Sequence, residues 1–314
     1  MMVEDLFAEI RGELESFFEP LPDKPEETSE TVLRSLWFAA AGTPLSATRV
    51  GGRTLPELEA GQVDVLRALL LKKKEGVPLA HLTGRQEFLG LELLATPEAL
   101  IPRKETEILG RAAIAALRSR PEDGGPLLAV DVCTGSGNLA LAVAFHEPRA
   151  RVAAADLSES AVALARRNAE YTGLGNRVAF AVGDLFAPLE RQDLLGHCDL
   201  VSCNPPYISS ARVPQMPREI SRHEPAAAFD GGAYGVSILM RLLKDAPRFL
   251  KPGGALCFEV GLGQGPSMLK QVKRLPWVGH VEAHPDTAGA VRALTALRSD
   301  SPDGSPPPGS EETP

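Results

Sequence analysis

Four consecutive residues, Asn204-Pro205-Pro206-Tyr207, place a side-chain amide, two prolines and a phenol directly behind the apolar run "CDLVSC". Two prolines in succession fix φ twice and remove two backbone donors, so the turn offers carbonyl oxygens and no N–H groups of its own. Acceptors arranged in this way suit a planar NH2 group held by its two N–H bonds. Taken alone, the same four residues read equally well as a stiff strand exit whose Asn and Tyr cap and pack.

The neighbouring acids weigh against the simpler reading. "LLAVDV" runs into Asp131-Val132-Cys133-Thr134-Gly135-Ser136-Gly137, "RVAAAD" ends on Asp156, and "RVAFAVGD" ends on Asp184 followed by Leu185. Each has a local explanation: a tight turn at Gly135 and Gly137, a helix cap at Asp156, a turn start at Asp184. Four apolar runs that each deliver a ligand-type residue at the same end are better explained by one binding edge. "GSGNLA" fits the loose dinucleotide pattern G-x-G-x-x-G/A with an acid downstream for ribose, a weak signal by itself. Three carboxylates would sit poorly with a pyrophosphate, whereas S-adenosyl-L-methionine carries a sulfonium and an ammonium and no phosphate. With that ligand, Gly135 and Gly137 would admit close backbone approach and Asp131 would stand near the ammonium. Asp156 would grip the ribose hydroxyls, Asp184 would accept from the adenine amino group, and Leu185 would lie against the purine.

The elements that must position these groups follow from hydrophobic spacing. Up to about Gly76, apolar residues recur at helical intervals (Leu6, Ile10, Leu14, Phe17; Val32, Leu33, Leu36, Trp37; Val63, Leu66, Leu70), with Gly42 and Gly76 as left-handed stops. "RQEFLGLELLAT" alternates about Leu89-Gly90 as a hairpin, and "KETEILGRAAIAALRSR" is an amphipathic helix. From residue 127 onward short apolar runs alternate with helices. That pattern predicts a parallel sheet covered on both faces, a doubly wound Rossmann-like α/β domain preceded by a small helical domain. Ligands of such sheets bind beyond the carboxyl ends of the strands.

The 314 residues, 44% hydrophobic and 24% charged, leave ample material for a core. No apolar run reaches the roughly 18 residues of a membrane span, and the amphipathic, acidic "MMVEDLFAEIRGELE" is unlike a signal peptide, so a cytoplasmic protein is expected. Cys133, Cys198, Cys203 and Cys257 are far apart and form no C-x-x-C pair, and His81, His146, His197, His223, His280 and His284 have no metal spacing; reduced thiols and no metal are expected. The net charge of −8 is concentrated at the ends: residues 1–30 hold ten acids against two bases, and residues 299–314 hold four acids and no base. The remainder is only weakly basic, "LKKKEG" reads as a solvated helix end, and no nucleic-acid stripe is evident.

"DVCTGSGNLALAVA", "ADLSESAVALARRNAEYTGL", "GDLF", "SCNPPY" and "KPGGALCFEVGLGQG", in that order, resemble the HemK/PrmC family of class I methyltransferases. The resemblance begins at "GVPLAHLTGRQEFLGLELLATPEALIPRKETEIL", includes "EPAAAFDGG" and ends at "DTAGAVRAL", a weaker echo of a final strand, so it spans about residues 76–297. It implies S-adenosyl-L-methionine-dependent methylation of a glutamine side-chain nitrogen in the Gly-Gly-Gln motif of peptide chain release factors, by a monomer that holds no nucleic acid. Asn204, Pro205, Pro206 and Tyr207 would be the catalytic residues. Asp131, Cys133, Thr134, Gly135, Ser136, Gly137, Asp156, Asp184, Leu185 and Asn204 would hold the cofactor. Arg103, Glu105 and Glu224 would order the flanking segments. Lys104 and Tyr234 depart from the family pattern, and "REISRHEP" leans toward relatives that methylate ribosomal protein L3. An N6-adenine DNA methyltransferase also needs to hold an amino group, but this chain has no basic recognition region.

Four segments are therefore expected: a helical substrate-docking domain over 1–80, a hairpin connector over 81–102, the methyltransferase domain over 103–298, and a disordered acidic Pro-rich tail over 299–314. Ile208 to Gly231, with three prolines and little periodicity, reads as a substrate-recognising lid.

Overall fold

The computed structural model describes residues 3–21, 24–121, 125–215, 223–232 and 235–299. The expectations for Tyr234, for residues 218–222 of "REISRHEP" and for all but the first residue of the tail lie outside the described residues. The chain divides into two compact units, Met1–Lys104 with Met216–Pro225, and Glu105–Gln215 with Ala226–Pro314.

In the first unit α1 (Val3–Glu15), α2 (Ser29–Ala40), α3 (Ala60–Lys74) and the short α4 (Leu79–Thr83) precede a hairpin of β1 (Arg85–Phe88) and β2 (Leu91–Leu94). Leu6, Ile10, Leu14, Leu33, Leu36, Trp37, Leu66 and Leu70 meet in one core, as their spacing requires. Thr28 and Thr31 form a capping box at the start of α2, and Gly42 and Gly76 take the left-handed conformation beyond α2 and α3. Leu89 and Gly90 both have positive φ, which matches the twist of a two-residue hairpin turn. The basic end of α3 differs from expectation: Lys72 and Lys74 are exposed, but the Lys73 side chain is only 8% exposed and pairs with Glu27 at 3.5 Å. In the same unit Glu224 accepts from Ile101 N at 2.9 Å and pairs with Arg103 at 2.5 Å, tying the "IPR" stretch to the "EP" stretch.

The second unit opens with α5 (Thr106–Arg118). β3 (Leu127–Val132), α6 (Asn138–His146), β4 (Ala150–Asp156), α7 (Glu159–Tyr171) and β5 (Val178–Val182) follow, then β6 (Cys198–Cys203), α8 (Ser237–Asp245), β7 (Leu250–Glu259), α9 (Gly265–Val272), β8 (Val278–Pro285) and β9 (Val291–Arg298). The sheet order is β5-β4-β3-β6-β7-β9-β8. The pairs among β5, β4, β3, β6 and β7 are parallel and joined by helical crossovers, the doubly wound arrangement. β3 and β6 are buried along nearly their whole length, which is why both read as apolar runs, interrupted only by the buried Asp131, Asp199 and Ser202.

The expected all-parallel sheet is corrected at one edge, where β9 pairs antiparallel with both β7 and β8. β8 gave no strand signal because none of its residues, "VGHVEAHP", is fully buried, polar and apolar residues do not alternate cleanly, and register breaks fall near both ends. The strand order reverses between β3 and β6, and this places the end of β6 beside the loop that follows β3.

Candidate active site

At the reversal Asp131 of β3 lies in register with Ser202 of β6. Asp131 is 1% exposed, and its two oxygens accept from Ser202 Oγ and Thr134 Oγ1, each at 2.6 Å. Burial pushes its carboxyl up to about 6, against the pull of those two donors, and the nearby Asp156 charge adds to the rise. Asp131 thus braces the loop from below. The loop turns sharply above it: Cys133, Gly135 and Gly137 all have positive φ. Thr134 N bonds to Ala155 O at 3.0 Å, and Gly137 N closes on Thr134 O at 2.8 Å.

The two glycines serve different ends. A Cβ on Gly135 would meet nothing within 4 Å, so this backbone is open to a ligand. At Gly137 a Cβ would press on Ala165 Cβ at 3.1 Å and on the Phe180 ring at 3.3 Å, so its bareness lets α6 pack on α7 and β5. Ser136 sits between them, 2% exposed, with its carbonyl held by Asn168 Nδ2 at 3.0 Å and its Oγ buried without a partner.

Asp156 ends β4 and fastens the loop: its Oδ2 accepts from Gly135 N at 2.8 Å and its Oδ1 from Ser158 N at 2.9 Å. Ser158 in turn caps α7 through Ala161 N. Asp184 is placed differently, with its side chain 49% exposed and ion-paired to Arg241 at 2.6 Å. Leu185 has φ +48 and is 6% exposed in the core cluster, so little of its side chain faces outward. Of the described non-glycine residues with positive φ, Cys133 and Leu185 both belong to this edge. Cys133 also packs against the core cluster that holds the fully buried Cys203, whose thiol is pushed up chiefly by burial.

Asn204 to Tyr207 leave β6 on the other side of the reversal. Asn204 gives its Nδ2 to Thr106 Oγ1 at 3.2 Å, and its Oδ1 has no hydrogen bond among the described residues. Pro205 is buried, and Pro206 and Tyr207 are half-buried. The Tyr207 hydroxyl donates to Glu259 Oε1 at 3.0 Å. Burial and the charge of Glu259 push the phenol's pKa further up, so it stays protonated. Gln264 clamps the turn from a third side, donating to Tyr207 O at 3.3 Å and Gly235 O at 3.2 Å while accepting from Gly261 N at 2.9 Å. The backbone also packs without room to spare. A Cβ on Gly231 would lie 2.5 Å from Pro206 O, one on Gly235 would strike Tyr207 O, and one on Gly261 would meet the Tyr207 ring at 2.9 Å.

Sequence reasoning missed Thr106, Ser202, Glu259 and Gln264 as parts of the site, although all lie within the stretches that carry the family resemblance. Their partners are distant in sequence, and no local spacing joins Thr106 to Asn204 or Glu259 to Tyr207. The two ends of the stretch 208–231 are tied to each other: Ile208 bridges Asp230 and accepts from Gly231 N at 2.8 Å.

A family model described as a methyltransferase domain matches residues 129–224. A release factor glutamine methyltransferase of Moorella thermoacetica is 38% identical over 227 residues, covering 72% of this chain and 77% of the relative. The protein of the same name from Gloeobacter violaceus is 37% identical, covering 82% and 86%. The chain belongs to the release factor glutamine methyltransferase family. It is a methyltransferase, and the solved hMettl16 catalytic domain, in complex with a MAT2A 3'UTR hairpin, shares its fold at a TM-score of 0.50 and 15% identity, covering 81% of this chain and 86% of that one. Within this family's fold the described residues include no helix long and apolar enough to cross a membrane.

Proposed function

We propose that the protein transfers a methyl group from S-adenosyl-L-methionine to the N5 side-chain nitrogen of the glutamine in the Gly-Gly-Gln motif of peptide chain release factors, in the cytoplasm. The observation that carries this reading is the state of Asn204: its nitrogen is spent on Thr106, which leaves its oxygen to accept from an incoming NH2 group. The names of the relatives supply the substrate class.

The residues present fit the cofactor. Gly135 offers bare backbone, the buried Ser136 Oγ lacks a partner, and each Asp156 oxygen keeps an acceptor position beyond the one loop amide it holds. When bound, S-adenosyl-L-methionine supplies an electrophilic methyl on a sulfonium and leaves as a neutral thioether.

A glutamine nitrogen is a poor nucleophile, because its lone pair is delocalised into the carbonyl; the same resonance gives a peptide bond a rotation barrier of roughly 18–20 kcal/mol. Asn204 Oδ1 and the Pro205 carbonyl accept its two N–H bonds and turn the lone pair toward the methyl group. Tyr207, anchored by its hydroxyl, covers the planar amide and excludes water. With the donor held there, an N–C bond would form as its S–C bond breaks, the sulfur keeping that bond's electron pair, and the nitrogen would give up one proton to solvent after, or as, the N–C bond forms. Positioning of this kind supplies up to about 7–11 kcal/mol for well-oriented reactants.

Recognition of the protein substrate is assigned to the helical unit and to the Ile208–Gly231 segment. The test is incubation with purified release factors, ribosomal protein L3 and unmethylated DNA in the presence of labelled cofactor, with mass mapping of the product. Label on the release-factor glutamine is the expected result; label in DNA or L3 and none on that glutamine overturns it.

A further inference from the structure

Leu262, in the loop between β7 and α9, is 73% exposed, the most exposed of the large apolar side chains among the described residues. A single exposed leucine is ordinary on a protein surface. This one stands on a turn that has no freedom to bury it, directly beside Tyr207. Gly261 to Gln264 form a type II β-turn: Gln264 N donates to Gly261 O at 2.9 Å, Leu262 takes the first corner, and Gly263 takes the second with φ +84. Gln264 Oε1 accepts from Gly261 N at 2.9 Å, while its Nε2 holds Tyr207 O and Gly235 O. Its carbonyl opens α9 by accepting from Met268 N at 3.0 Å. The next residue is wedged as well, since a Cβ on Gly265 would lie 2.5 Å from the Val291 side chain.

One glutamine thus locks this turn to the turn that ends at Tyr207. A Cβ on Gly261 would meet the Tyr207 ring at 2.9 Å, and the next Cα lies one trans peptide, about 3.8 Å, further on. Leu262 Cα is therefore within about 8 Å of the ring, and its side chain is within reach of whatever lies there.

We propose that Leu262 is a specificity-determining residue: it is an apolar wall on which the main chain just before the acceptor glutamine packs, and it selects bare glycine backbone there. This rests on the proposed methylation of the Gly-Gly-Gln glutamine. The amide carbon of a glutamine is three bonds from its Cα, within about 4 Å, so an amide covered by Tyr207 brings its own main chain over the rim of the same turn. Glycine has no Cβ and lets that main chain lie flat on an apolar side chain; any other residue would hold the two apart. Covering Leu262 takes apolar surface out of water in the complex alone, which favours binding. The contact is the same before and during N–C bond formation, so it acts on substrate affinity and not on transfer.

The experiment measures methylation of a purified release factor, and of its variant with alanine directly before the glutamine, by wild type, Leu262→Ser, Leu262→Ala and Leu262→Met. The exposed side chain supports little of its own fold, so all four enzymes should share one Tm and one cofactor affinity. Leu262→Ser raises KM about 10-fold with kcat at saturation changed less than about twofold, and Leu262→Met keeps KM within about threefold of wild type. The alanine substrate costs the wild type about 10-fold in kcat/KM and Leu262→Ala less than about threefold; comparing the two enzymes cancels any effect of the alanine on the release factor itself. A KM that Leu262→Ser leaves unchanged, or one alanine penalty common to both enzymes, overturns the proposal while the functional reading stands. No label on the release-factor glutamine in the wild type overturns both.

Discussion

The loop from Asp131 to Gly137 is held by its neighbourhood: Asp156 on the adjacent strand, Thr134 and Ser202 against Asp131, and Ala165 and Phe180 against Gly137. The turn from Asn204 to Tyr207 draws its supports from Thr106, nearly a hundred residues upstream, and from Glu259 and Gln264, more than fifty residues downstream. The first half, assigned to the cofactor, offers bare backbone at Gly135 together with the Ser136 hydroxyl and the Asp156 oxygens. The second must present one particular oxygen, and a buried set of directional bonds fixes it. Binding and reaction are thus built by separate means, and they should fail separately.

Removing the amide is expected to have the largest effect. Asn204→Ala takes away the acceptor aimed at the NH2 group and should lower kcat by about 100- to 1000-fold or more, the scale of a lost transition-state partner. Thr106 would lose one neutral hydrogen bond, worth about 0.5–1.5 kcal/mol, so the fold should survive and cofactor affinity should stay within about tenfold by calorimetry. A comparable loss of both quantities would make Asn204 a cofactor ligand first and erase the contrast between the halves.

Asp156→Ala is the complementary change. It frees the Gly135 and Ser158 amides together and removes the acceptors offered to a ribose. Hydrogen bonds to a charged group are worth about 1.5–3 kcal/mol, so cofactor affinity should fall by about 10- to 100-fold. At saturating cofactor kcat should recover most of its wild-type value. A kcat that stays low at saturation would mean that the loop also aligns the reacting groups.

How much of this was legible in advance follows the same division. The edge assigned to the cofactor was legible where Asp131 and Asp156 stand at the ends of β3 and β4, largely buried parallel strands that read as apolar runs, although Asp184 follows the more exposed β5. "LLAVDV", the acid at the end of "RVAAAD", and the bare Gly135 all fell where the spacing placed them. The Asn204 turn was legible as chemistry but not as structure, since a Thr at the head of a helix and a Glu at the end of a strand have ordinary local roles in sequence. β8 was illegible for a different reason: Val278, Val281 and Ala283 pack on the core, but a register break between Val278 and His280 interrupts the alternation that would have announced a strand. Gly137 was read as a cofactor contact because a bare backbone is required there; Ala165 and Phe180, which require it, become neighbours only after folding.

The smallest effect is expected at Arg241. Its guanidinium meets Asp184 at 2.6 Å, but both side chains are about half exposed, at 48% and 49%. Exposed pairs contribute about 0–1 kcal/mol and weaken as salt is added. Arg241→Ala should therefore change unfolding stability by less than about 1 kcal/mol, with the difference shrinking further at high ionic strength. Its effect on cofactor binding carries more information. Asp184 is assigned to the adenine amino group, and an arginine paired to it competes for the same acceptor. Removing the competitor should leave affinity unchanged or raise it by up to about threefold, with kcat unaltered. A fall in affinity would instead mean that Arg241 holds Asp184 in place for the base. The cofactor half would then depend on a side-chain brace, as the acceptor half does.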